Sequence, residues 1–344
     1  MATCMSINRR EVVKTLGIAA VSAGFTGIGS ATQNSSVQVN SVYGSEESPL
    51  SEGDIIDTQQ QAKANSEASS SVTVKPDDSY GRIVGFVYGI DESGRATFYV
   101  AKEPEEEAVE QQDQSESAVS KAKEFESELK KANRLFTETN AVSPSGIDPE
   151  WDHVTNGYTP YPRRPYGKLV ESVDVYELDE DTSTNRFAMR QNANIYPGQA
   201  EWDNGYHWWY AEPEHKWDQG VLDYNLVDRA PRDDKTGGVD KKSVAISAGG
   251  PEISWQFSQP DVARYDESNS QVAKWHWNAM TDPLSYGDNQ HALFKTGSTA
   301  ETRDNPSDGD TLLGWGTMAK FTSRDRVDAD VDEFGAGGRL EYDD

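Results

Sequence analysis

The sequence predicts a mainly β chain: an antiparallel β-sandwich in the C-terminal half, preceded by a β-hairpin and one long amphipathic helix. Three observations carry that expectation. From about Leu169 apolar residues alternate in short runs, as in Val173/Val175, Phe187/Met189, Val244/Ile246/Ala248, Ile253/Trp255/Phe257, Ala273/Trp275/Trp277 and Leu313/Trp315. Clusters of Gly, Pro, Asp and Asn separate the runs, at residues 179–185, 233–238, 249–251 and 304–309. All nine Trp lie between Trp151 and Trp315, which supplies that half with large side chains for a core. No periodic run of helical length follows Leu169, and a barrel is the alternative closure.

The elements read as follows from the N-terminus. Residues 1–31 have the layout of a twin-arginine secretion signal: Arg9-Arg10, an apolar small-residue run from Leu16 to Ile28, then Gly29-Ser30-Ala31. Export by the twin-arginine machinery and an extracellular location are therefore expected. The run is too short and too rich in Gly and Ser to span a bilayer as a stable helix, so no stable membrane anchor is expected. Residues 32–71 are rich in Ser, Gln, Asn and Glu, hold one aromatic, Tyr43, and read as a disordered linker. Residues 72–139 read as a module of hairpin plus helix. Its strands are residues 81–89 and 95–101, joined by a turn at Asp91-Glu92-Ser93-Gly94. Pro104 opens the helix, and Ala118, Ala122, Phe125, Leu129, Ala132 and Phe136 form its apolar stripe. A helix covering the hairpin or the main sheet is the expectation, with a coiled-coil seam as the rival. Residues 140–168 read as a Pro-rich connector, with Arg163-Arg164 a basic island that contacts the acidic protein body. Residues 169–322 are the expected sandwich, and residues 323–344 an acidic tail.

Net charge is −27, from 32 basic and 59 acidic side chains. Cleavage after Ala31 removes Arg9, Arg10 and Lys14 against Glu11 and leaves about −29. Such charge destabilises a compact state by self-repulsion, which molar salt screens to a Debye length of about 3 Å. With its 16 Lys, the chain resembles exported proteins of halophilic archaea, a resemblance of habitat rather than of functional family. Nucleic acid is excluded as a partner, because phosphate recognition needs a positive surface. Leu, Ile, Val and Phe total only 60 of 344 residues, a composition that borders on disorder. The clustered Trp argue that any disorder is local. The one cysteine, Cys4, would leave with the signal, so disulfides, iron–sulfur clusters and cysteine-bound metals are not expected.

Motifs for catalysis are sparse. Gly-x-Ser-x-Gly, His-Glu-x-x-His and the P-loop do not occur. Ser120-Lys121-Ala122-Lys123 and Lys295-Thr296-Gly297 match fragments of the serine β-lactamase set by chance. Carboxylate pairs such as Glu212/Glu214 and Asp179/Asp181 could serve glycoside hydrolysis, but with 59 acids spacing means little. His207 and His215 flank a Glu-containing segment without matching a ligand spacing. Calcium is the one ion that the pattern suits: Asp304, Asp308 and Asp310 share a Gly/Pro loop, and Asp328, Asp330 and Asp332 alternate. No other cofactor is expected.

The strongest compositional site is aromatic. Tyr206, Trp208, Trp209, Tyr210 and Trp217, with Trp202, fall within sixteen residues. Flat rings on a sheet face stack on sugar rings. Consecutive Trp208 and Trp209 cannot both face one side of a regular strand, so one should contribute to a contact surface with Tyr206 or Trp217. Trp255, Trp275 and Trp277 are expected in the core. The leading expectation is a secreted, non-catalytic protein that binds an extracellular polymer or cell surface in high salt. An extracellular carboxylate-dependent hydrolase is the second. A secreted, halocin-like antagonist of other cells, with residues 72–139 as a pro-segment, is the third.

Overall fold

A computed structural model describes residues 37–343 apart from 69, 80, 105–116, 132–146, 149, 179–184, 218–223, 233, 237–238, 248–250, 260–261, 280–290, 303–304 and 324–330. The expected signal and the alternating Asp328 and Asp330 lie outside these residues. The chain opens with β1 (Gln38–Tyr43), α1 (Glu52–Asn65) and β2 (Val72–Pro76). The hairpin β3 (Arg82–Ile90) and β4 (Ala96–Glu103) precedes α2 (Ala118–Lys131). Three long strands follow: β5 (Trp151–Arg163), β6 (Gly167–Leu178) and β7 (Asn185–Pro197). A short α3 (Gly198–Trp202) leads to β8 (Tyr206–Lys216) and β9 (Tyr224–Ala230). Then come β10 (Lys235–Thr236), β11 (Val239–Ser247), β12 (Glu252–Gln259), β13 (Ala263–Asp266) and β14 (Val272–Asn278). The chain closes with β15 (Ala292–Thr302), β16 (Thr311–Ser323) and β17 (Val331–Tyr342).

The expected mainly β, antiparallel architecture holds, but it takes in far more of the chain than residues 169–322. One sheet has eight strands in the order β1, β3, β4, β5, β6, β7, β15, β9. The other has seven, in the order β10, β13, β14, β8, β16, β17, β2. Their facing sides build two apolar clusters. One joins Phe86, Phe98, Val173, Val175, Phe187 and Met189 to Leu313, Trp315 and Leu340. The other joins Leu169, Ile195 and Phe294 to Trp208, Trp275, Trp277 and Phe321. Indoles thus fill the space that few aliphatic side chains are available to fill.

Four expectations are corrected. Residues 38–65, read as linker, form β1 and α1. Ser51 and Asp54 make a capping box that starts the helix. Gln59 then spends its amide on both backbone groups of Val74, at 2.8 Å each, and so closes the outer edge of β2. Hairpin β3–β4 is not a separate module but part of the eight-stranded sheet. Within the Pro-rich connector, Trp151–Arg163 form β5. Its parallel pairing with β4, residues 96–99 opposite 155–158, ends before Pro160 and Pro162, so among the described residues both prolines stand where that side of the strand is unpaired. Within the acidic tail, Val331–Tyr342 form β17, inserted between β16 and β2. Its glycines let the chain pass a large ring: a Cβ on Gly338 would lie 2.9 Å from the Trp315 indole.

Helix α2 covers the hairpin, as the stripe implied. Ala122, Phe125 and Leu129 pack on Val84, Val87, Tyr99 and Ala101. Tyr99 and Phe125 have ring centroids 4.8 Å apart. Ala132 and Phe136 lie outside the described residues.

Between the sheets runs a hydrogen-bonded column of fully buried polar groups. Trp217 Nε1 donates to Ser298 Oγ at 2.9 Å, and Ser298 Oγ meets His215 Nδ1 at 2.7 Å. His215 Nε2 meets Gln191 Oε1 at 3.1 Å, and Gln191 Nε2 donates to Glu171 Oε1 at 2.7 Å. Trp315 Nε1 donates to Glu171 Oε2 at 3.1 Å. Gln191 Oε1 can only accept, so His215 carries its proton on Nε2 and donates it there; Nδ1 is then the acceptor, and the Ser298 hydroxyl donates to it while accepting from Trp217. Burial pushes the Glu171 carboxyl up to about 8, against the bonds from Thr317, Gln191 and Trp315 and the charge of Lys102. Burial pulls the His215 imidazole down to about 3.

These shifts fix a pH profile. Glu171 holds its proton more tightly folded than unfolded, so its contribution to stability declines as pH rises from about 4.5 to about 8. His215 holds its proton less tightly folded, so its contribution declines as pH falls from about 6.5 to about 3. The two contributions have opposite slopes between about 4.5 and 6.5 and offset each other there. Denaturant midpoints at constant high salt should show the alkaline decline shrink in Glu171→Gln. An identical decline in that variant would contradict the assignment.

Candidate functional site

The aromatic segment lies at the start of β8. A turn with Asp203 and Gly205 at φ of 57° and 84° leads into it. Asn204 ties the turn down by donating to the Pro165 carbonyl at 2.5 Å. Further along β8, Ala211, Pro213 and His215 point inward. Simple alternation would send Trp209 inward as well. A bulge prevents that: Lys320 opposes Tyr210, the next residue Phe321 opposes Trp208, and Trp209 is the extra residue. Trp208 therefore enters the core, edge-on to Phe294 at 5.4 Å, while Trp209 and Tyr210 stay half-buried outside it.

The expected set of five rings is thus divided. Trp208 and Trp217 are fully buried and cannot touch a ligand. Tyr206 packs against Tyr166, at 5.1 Å. The neighbours of Trp209 and Tyr210 come instead from β13 and β14. Inward-facing Trp275 and Trp277 place His276 on the outer face, where it stands beside its register partner Tyr265.

The result is a strip across the outer face of the seven-stranded sheet. Trp209 and Tyr210 have centroids 6.2 Å apart, Tyr210 and His276 5.2 Å, and His276 and Tyr265 6.1 Å. Tyr265 is 44% exposed. Lys320 Nζ lies 4.8 Å from the Trp209 ring and 5.5 Å from Tyr210. Tyr210 donates to Glu333 Oε2 at 2.7 Å, and burial together with that carboxylate pushes its phenol far above the usual range. Glu212 sits below the rings. His276 Nδ1 and Lys274 Nζ approach its two oxygens at 2.7 and 2.9 Å. Although burial works against it, these partners hold the Glu212 carboxyl below its usual range, so it is an ionised acceptor at neutral pH. The outward His276 follows from the alternation of Trp275 and Trp277 about it. Tyr265, in a four-residue strand, gave no signal.

The other candidates fall elsewhere. Asp304 lies outside the described residues. Asp308 is exposed, and Asp310 spends one oxygen on the Ser307 amide at 2.8 Å, closing a turn. Asp332 pairs with Arg163, which accounts for half of the basic island. Among the described residues, no three His, Asp or Glu side chains are grouped to hold a metal ion. Glu214 pairs with Lys216, and Asp179 and Asp181 lie outside the described residues. Ser298 and His215 form a serine–histidine pair, but it is sealed between the sheets with no exposed surface. Lys295, in β15, and Ser120, in α2, belong to separate elements.

No protein-family model matches this chain, and no curated protein matches it in sequence. Among solved structures it is remotely similar to a pore-forming protein, with a TM-score of 0.28 and 10% identity over 54% of this chain and 94% of that one. It is similar to the Clostridium perfringens delta-toxin with a TM-score of 0.29 and 8% identity, over 57% and 91% of the two chains. It is similar to the Clostridium perfringens NetB toxin in its membrane-inserted form with a TM-score of 0.28 and 8% identity, over 56% and 100%. Likenesses this remote assign neither a family nor a function.

Proposed function

We propose that this chain is a secreted, salt-adapted binding protein that captures an extracellular polysaccharide or cell surface through the outer face of its seven-stranded sheet. One observation carries the reading: Trp209, Tyr210, His276 and Tyr265 form a continuous aromatic strip. Rings offer apolar area at low conformational cost, and the adjoining Glu212, Lys274 and Lys320 offer hydrogen bonds to hydroxyl groups. The address rests on Arg9-Arg10 and the small-residue run after them, and the adaptation to salt on the net charge of −27.

A second reading, a secreted antagonist acting on membranes, is favoured by hairpin β11–β12. It forms a two-stranded sheet of its own. Ile246, Ile253 and Trp255 are buried, and the Trp255 ring lies where a Cβ on Gly297 would be, at 2.4 Å. Ala245 and Glu252 are exposed. A hairpin outside both large sheets, with Ile246, Ile253 and Trp255 turned to one face, suits release and insertion as part of a closed barrel of several copies.

Two measurements separate these readings. Trp209→Ala should weaken capture of cell envelopes by about ten-fold while its melting temperature stays near that of the parent. Trp208→Ala should cost about 3–5 kcal/mol of stability. Undiminished capture by Trp209→Ala would overturn the first reading. The second expects dye release from lipid vesicles in molar salt, and intact vesicles at saturating protein would overturn it.

A further inference from the structure

Arg164 differs from every other arginine among the described residues. Arg95, Arg163, Arg186, Arg190, Arg229, Arg232 and Arg339 are each paired with a carboxylate. Arg82 and Arg264 donate to backbone carbonyls. Arg164 alone makes no hydrogen bond and no ion pair within the described residues. Its guanidinium lies over the Trp202 ring, 4.9 Å from the centroid. In a chain with 59 acidic side chains this is unexpected, and the carboxylates nearest in sequence to Trp202 are committed elsewhere. Glu201 pairs with Lys168 at 3.4 Å, and Asp203 accepts from Gln199 at 2.6 Å.

The position is built. The turn between β5 and β6 carries Arg164 and Tyr166, and α3 carries Trp202. Asn204 joins the two segments through Pro165, and Tyr166 stands edge-on to Tyr206 at 5.1 Å. Arg164, Tyr166, Trp202 and Tyr206 are all half-buried, so each presents part of its surface to solvent. Contact with the indole face anchors the guanidinium and leaves its N–H donors unspent, which suits bidentate capture of a planar oxyanion.

We propose that Arg164 and Trp202 form a subsite for the carboxylate of an acidic polysaccharide, with the guanidinium binding the acid group and the Trp202, Tyr166 and Tyr206 rings flanking the sugar. The proposal rests on the reading of the chain as a glycan-binding protein and adds the class of glycan. Repulsion between a polyanion and the acidic body is screened in molar salt, whereas the short-range bidentate bond survives there.

The test uses the mature chain in molar KCl with three probes: insoluble alginate, a neutral β-glucan, and vesicles of anionic phospholipid. Arg164→Gln should weaken capture of alginate by about ten-fold, with an unchanged melting temperature and unchanged capture of the neutral glucan. Arg164→Lys should fail to restore it, because an ammonium keeps the charge but not the fork. Alginate capture by Arg164→Gln at the parental level would overturn the proposal. So would full rescue by lysine, equal loss on the neutral glucan, or no alginate capture by the parent. Loss confined to the vesicles would reassign the subsite to lipid. Trp209→Ala keeps the two ideas apart: if it binds every probe normally while Arg164→Gln loses alginate, the strip falls and the subsite stands.

Discussion

The two sheets meet around a polar column, and the rest of the molecule depends on how that column is satisfied. Glu171, Gln191 and Ser298 reach in from the eight-stranded sheet; His215 and the indoles of Trp217 and Trp315 reach in from the side of the seven-stranded sheet. An unpaired group of this kind costs about 1–3 kcal/mol when buried. Each bond therefore constrains the next, and a slip of one strand by one residue would strand every partner. A chain with few aliphatic side chains has this second way of specifying how its layers pack. It fills volume with indoles and fixes the orientation of Trp217, Trp275 and Trp315 through their N–H donors.

The same register places the outer surface. His215 faces inward because β8 alternates normally beyond Ala211, and the bulge at Trp209 then lets Trp208 join the core without carrying its neighbour along. Inward Trp275 and Trp277 turn His276 outward against Tyr210. The strip is thus the reverse side of the core pattern. Ion pairs such as Lys75 with Glu52 and Glu341 decorate the remaining surface and contribute little individually.

Much of this was legible in the sequence. The alternation of Ala273, Trp275 and Trp277 marked a strand with one buried face, and the stripe Ala122, Phe125, Leu129 marked a helix over a hairpin. What was not legible follows from tertiary context. Pro160 and Pro162 argued against a strand, because a sequence does not reveal that a strand lacks its second neighbour along part of its length. The Gly-rich β17 carries little apolar alternation, since its role is to pass close beneath Trp315. Residues 38–65 looked like spacer because α1 is weakly amphipathic and holds its place partly by the Gln59 amide on an open strand edge. The bulge depends on pairing with β16, so the choice between Trp208 and Trp209 could not be made from β8 alone. That Arg163 is paired and Arg164 is not likewise depends on where β17 and α3 come to lie.

The central claim is that the column couples the two sheets as one unit. A double-mutant cycle on Glu171→Gln and His215→Asn tests it most directly, because the two residues share Gln191 and belong to different sheets. The account predicts a coupling energy of about 0.5–3 kcal/mol from denaturant unfolding. Strict additivity, within about 0.3 kcal/mol, would contradict it and reduce the column to independent buried contacts.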